Sequence, residues 1–190
     1  MTRGVGLLML AGALALAGCD NGDVPSPAER QQGETADRAL AVDVVELRAE
    51  GLSAGPEAFY FAAGQKEVEA SLVRTLGPVL RTGENPECGA GAITFTDFPG
   101  GLTAHFQQGR LVGWNWHLTQ DGDTPASGTV RLAGKVQVGS PRADAEAAPG
   151  FALVEGSTLG EEFALGERIG GFIAGDKVEM LYAGTQCFFR

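Results

Sequence analysis

Leu102, Ala104 and Phe106 alternate with Thr103, His105 and Gln107, and a few residues later Val112, Trp114 and Trp116 resume the alternation. Period-two patterning of this strength is the mark of a strand with one buried face. A three-residue loop ending at Gly109, the form with a G1 bulge, closes the pair into a hairpin. That loop puts Val112, Trp114 and Trp116 on the face of Leu102, Ala104 and Phe106. Thr103, His105, Gln107, Asn115 and His117 fall on the other face, which reads as solvated. Two tryptophans on a shared apolar face are read first as core. The alternative is a platform for an apolar ligand or peptide, with Trp114 and Trp116 lining an aromatic pocket.

Around this hairpin the pattern is mixed. Leu40, Val42 and Val44 alternate, with Glu46 and Arg48 in phase behind them. This predicts a strand over 40–47 that leaves the core at its end. Phe59-Tyr60-Phe61 is a short aromatic stretch. From Gln65 the period becomes helical, and Val68, Leu72, Leu76 and Leu80 line one face. Pro78 ends that helix near Gly77. Ile93 and Phe95 begin another strand, stopped by Pro99-Gly100-Gly101. Ser140-Pro141 reads as an N-cap and first turn, and Pro149-Gly150 closes that short helix. Glu162–Leu165 is a strand, and Gly175-Asp176 is the two-residue turn of a last hairpin. The reading is α+β, a degenerate tandem repeat in which a helix is followed by an antiparallel β-meander. Residues 39–118 form the first half, 119–133 a linker and 134–190 the second half.

The N-terminus carries an address. Arg3 precedes an uncharged apolar run from Gly4 to Gly18, too short for the ~20 residues that span hydrocarbon. It has the form of a signal peptide over residues 1–18. Leu16-Ala17-Gly18-Cys19 resembles the lipobox of bacterial lipoproteins. The resemblance implies that Cys19 becomes the first residue of the mature chain. It implies also that Cys19 carries a thioether-linked diacylglycerol and acyl chains such as palmitate, because two or more chains are needed for stable anchoring. The implied location is the bacterial cell envelope, membrane-anchored and facing the periplasm. Asp20 resembles the inner-membrane retention signal of enteric bacteria. Residues 19–38 are polar, with too little apolar area to offset ordering entropy, and read as a tether.

Three cysteines and a formal charge of −10 constrain the rest. With Cys19 taken by lipid, Cys88 and Cys187 remain, and an oxidising envelope favours one disulfide between them. It would close a loop of about 100 residues, worth roughly 4–5 kcal/mol in the chain-entropy model. The acidity excludes a nucleic-acid footprint and argues against adhesion to anionic lipid through a polybasic patch. No Cys or His stands at ligand spacing from Cys88 or Cys187, and Asp121-Gly122-Asp123 lacks the downstream Glu of a calcium loop, so no metal or cofactor is expected.

Gly64, Val68 and Leu76-Gly77-Pro78 stand in an order that Gly139 begins to repeat. This resembles the superfamily of the β-lactamase inhibitor protein and the small lipoprotein of the outer-membrane assembly machine. Ala143 replaces the second Val, and the second Leu-Gly element is missing. The resemblance implies a non-catalytic protein-binding or scaffold role with another envelope protein as partner. Catalytic motifs are missing: there is no Gly-x-Ser-x-Gly, His-Glu-x-x-His or Walker lysine. Asp97, His105 and His117 remain as acid–base candidates, and the chain is not expected to be an enzyme.

Overall fold

The structure, a computed structural model, describes residues 42–188. The signal peptide, the lipobox with Cys19 and the tether therefore lie outside the described residues. The described chain holds twelve strands in two sheets and two helices. The small sheet contains β1 (Val44–Arg48), β2 (Gly51–Ala54), β3 (Glu57–Tyr60) and β8 (Thr129–Leu132), ordered β3-β2-β1-β8. The large sheet contains β4 (Arg81–Asn85), β5 (Ile93–Phe98), β6 (Leu102–Gln107), β7 (Arg110–His117), β9 (Phe151–Leu153), β10 (Glu161–Leu165), β11 (Ile169–Ala174) and β12 (Lys177–Gly184). Its order is β4-β5-β6-β7-β12-β11-β10-β9, antiparallel throughout. Helix α1 spans Gln65–Leu76 and α2 spans Arg142–Glu146.

The α+β helix-then-meander repeat is therefore overturned: the fold is mostly β. The helices contribute 12 and 5 residues. The small sheet has no place in a helix-plus-meander plan, and it forms because β1 pairs with a distant strand. Val44–Leu47 run parallel to Thr129–Leu132. Residues 119–133, expected as linker, thus contain β8. The halves expected at 39–118 and 134–190 share one core and one sheet, joined at β7 and β12.

Local chemistry explains the elements. Helix α1 buries Val68, Leu72 and Leu76 and stops where Gly77 adopts φ 111°, so Leu80 lies outside it. Helix α2 has Pro141 at its N-cap with no side-chain cap. The Ser140 hydroxyl instead accepts from the Gln137 N–H at 2.9 Å. In β1 the buried residues are Val45 and Leu47, with Glu46 and Arg48 on the opposite face. The strand is one residue out of the phase expected from Leu40, Val42 and Val44, and a one-residue slip exchanges the two faces.

The central hairpin is tighter than expected. Gln107 pairs with Arg110 across a two-residue turn, in which Gln108 and Gly109 have φ of 50° and 71°. Positive φ at both positions is the type I′ turn that matches strand twist. The turn sets Phe106 opposite Leu111, and a register shift between Phe106 and His105 then sets His105 opposite Gly113. Leu111 takes the core position expected for Val112. Leu102, Ala104, Phe106, Trp114 and Trp116 do share the face under α1 and the small sheet.

Candidate functional site

Both helices and the small sheet pack on one side of the large sheet, where the core residues gather. The other side carries no helix among the described residues. Cross-strand pairing lays one row over that face: Arg81, Asp97, Thr103, Asn115, Tyr182, Gly170, Ala164 and Ala152, one residue per strand. Directly opposed side chains on one face are neighbours, so the row is a continuous surface.

The first half of the row is polar and self-satisfied. Arg81 Nε donates to Asp97 Oδ2 at 2.8 Å, and the Thr103 hydroxyl donates to Asp97 Oδ1 at 2.8 Å. The Arg81 guanidinium also stands 5.0 Å from the centre of the Phe95 ring, at cation–π distance. The second half is aromatic. Phe172, Tyr182 and Phe188 meet with ring centres 5.1–5.7 Å apart. Tyr182 lies across Gly170, where any Cβ would fall 2.2 Å from the ring, and its hydroxyl donates to the buried Glu162. The Ser157 hydroxyl donates to the same carboxylate at 2.6 Å. Sequence reasoning missed this half. The available signal was Met180 and Tyr182 alternating with Leu181 and Ala183.

A strap crosses the face between the halves. Cys88, in the loop after β4, is bonded to Cys187 in the tail after β12, with Cα atoms 5.2 Å apart. The tail passes so close over β7 that a Cβ on Gly113 would meet the Thr185 carbonyl at 2.5 Å. Gln186 Nε2 donates to the carbonyls of Trp114 and Ala183 at 3.0 Å each.

The strap corrects the reading of His105. The residue faces away from the core, as its alternation requires, yet it is only 8% exposed because the tail covers it. Its Nδ1 donates to the Thr185 carbonyl at 3.1 Å, and its Nε2 accepts from Asn115 Nδ2 at 3.1 Å. The ring is thus held neutral. Burial pushes its pKa below the usual histidine value, outweighing the Thr185 hydrogen bond and the Asp97 charge, which act upward. Protonation is therefore easier in the unfolded chain. As pH falls from the unfolded value, about 6.5, toward the lower folded one, the unfolded state binds more protons and stability drops. We expect His105→Gln to cost about 1–3 kcal/mol at neutral pH through unsatisfied buried groups and to flatten this acid limb. His117→Gln, on an open strand end, should leave stability at neutral pH unchanged. Urea unfolding at several pH values measures both effects, and an unchanged acid limb in His105→Gln would refute the assignment.

The other candidate residues are dispersed. His117 pairs with Met180 at the far end of β7, four positions beyond the Gly113 that faces His105, so the two histidines do not meet. Among the described residues no three His, Cys, Asp or Glu side chains converge on a point. Trp114 is fully buried, and its Nε1 donates to the carbonyls of Arg48 and Gly51 at 2.9 and 3.0 Å. Trp116 Nε1 donates to the Gly100 carbonyl at 3.0 Å. An open cleft of about 240 Å³ at the Arg81 end is lined by Leu80, Asp97, Phe98, Leu102, His117 and Asp123, among others, and by neither tryptophan. Compared with known proteins, the chain matches no family model, no curated protein and no solved structure.

Proposed function

We propose that this chain is a lipid-anchored protein of the bacterial cell envelope whose domain binds another envelope protein, without catalysis, through the helix-free face of the large sheet. The observation that carries the binding role is that face. It is eight strands wide, polar at one end and aromatic at the other. Aromatic and arginine side chains are favoured anchors at protein interfaces, and Phe95, Phe172, Tyr182 and Arg81 stand there. The Cys88–Cys187 bond supports an oxidising compartment. The Leu16-Ala17-Gly18-Cys19 sequence supports the anchor.

The test is site-specific photocrosslinking in living cells. A photoreactive phenylalanine analogue at Phe95 or Phe172 should give a discrete adduct, and one at Val73, on the exposed side of α1, should not. Equal adducts from all three positions, or none from the sheet face, would contradict the assignment.

A further inference from the structure

The small sheet has its own outer face, opposite Val45, Leu47 and Leu52. Pairing places Glu46 between Ser53 and Arg131, and Arg48 beside Gly51, which in turn faces Tyr60. Two arginines converge on the one carboxylate. Arg48 donates through Nε and Nη2 to Glu46 Oε1 at 2.9 and 2.6 Å, and Arg131 donates through Nη2 to Oε2 at 2.7 Å. The strand face therefore carries one unbalanced positive charge. Including the adjoining turns, which carry Asp43, Glu50 and Lys135, the region is neutral in a chain of formal charge −10. Beside this cluster the Ser53 hydroxyl is buried and has no hydrogen-bond partner among the described residues.

Two more observations give this face a direction. Val42 and Tyr60, 78% and 62% exposed, are the most exposed large apolar side chains described. Tyr60, ending β3, lies across Gly51 from Arg48, and Val42 stands just before β1 at the other end of the sheet. Tyrosine, with an apolar ring and a polar tip, suits the headgroup level of a membrane.

We propose that this face, with Arg48, Arg131 and Tyr60, is the side on which the domain rests against an anionic lipid surface, turning the large sheet toward its partner. The proposal builds on the lipid-anchor reading. The acyl chains supply the affinity. The face sets the orientation, because an anionic surface repels the acidic remainder of the domain and repels this neutral region least. No polybasic stretch is required.

The experiment uses the full acylated protein in vesicles of phosphatidylglycerol or of phosphatidylcholine, each doped with a headgroup spin label. Tyr60→Trp and Val73→Trp report from the small sheet and from α1. In phosphatidylglycerol the residue-60 reporter should be quenched several-fold more than the residue-73 reporter. The difference should disappear in phosphatidylcholine, at high salt and in Arg48→Gln/Arg131→Gln. Equal quenching of both reporters in both lipids, with the protein still sedimenting with the vesicles, overturns the orientation and leaves the anchor standing. Protein left in the aqueous phase overturns the anchor and this proposal with it. The reporter in the native-arginine background decides the matter even if the double variant fails to fold.

Discussion

Replacing Trp114 with alanine is expected to cost about 3–5 kcal/mol of folding stability, the largest loss from any single side chain in the central hairpin. The ring is fully buried among Leu102, Ala104 and the residues of the small sheet. Its single N–H is shared between the carbonyls of Arg48 and Gly51, which flank the turn from β1 to β2. One side chain thus fills the core and fastens the small sheet to the large one. Trp114→Phe separates the two roles. It keeps most of the volume and leaves two carbonyls without their donor, for which about 1–3 kcal/mol is expected. Denaturant unfolding of both variants measures this. A loss below about 1 kcal/mol for the alanine variant would be incompatible with a packed core position.

The second large effect concerns the strap. Cys88 and Cys187 are 99 residues apart in sequence, and a cross-link over that span contributes about 4–5 kcal/mol in the chain-entropy model. Cys88→Ala and Cys187→Ala should each lower stability by a similar amount. The double variant should match either single one, since the same bond is lost in all three. The tail would also loosen over His105, so the single variants should share a weakened acid limb with His105→Gln. Additive losses in the double variant would show that the two cysteines act separately.

The parts of the fold written in local chemistry were legible in the sequence. Helix α1 follows from Val68, Leu72 and Leu76 and a stop at Gly77. The apolar hairpin face follows from alternation, and the cysteine pair from counting. The misread parts depend on distant chain. The phase of β1 could not be set locally, because Val44 and Val45 are both apolar and the choice is made by pairing with Thr129–Leu132. The hairpin turn was misjudged by one residue because Gln108 adopts positive φ, which its side chain does not advertise. His105 reads as solvated in its own strand and is covered by a tail 80 residues away. The candidate binding face had little local signature beyond Met180 and Tyr182 alternating with Leu181 and Ala183. It is defined by where both helices and the small sheet pack, which leaves the opposite side of the eight strands without a helix among the described residues and crossed by the disulfide strap.

The central claim, a lipid-anchored envelope protein closed by one disulfide, is tested most directly by intact mass spectrometry of the mature chain from its native membrane fraction. The account predicts a chain beginning at Cys19, with the added mass of a diacylglyceryl group and with Cys88 and Cys187 two hydrogens short of free thiols. Mature protein recovered from the aqueous fraction, with Cys19 unmodified and the other two thiols free, would contradict it.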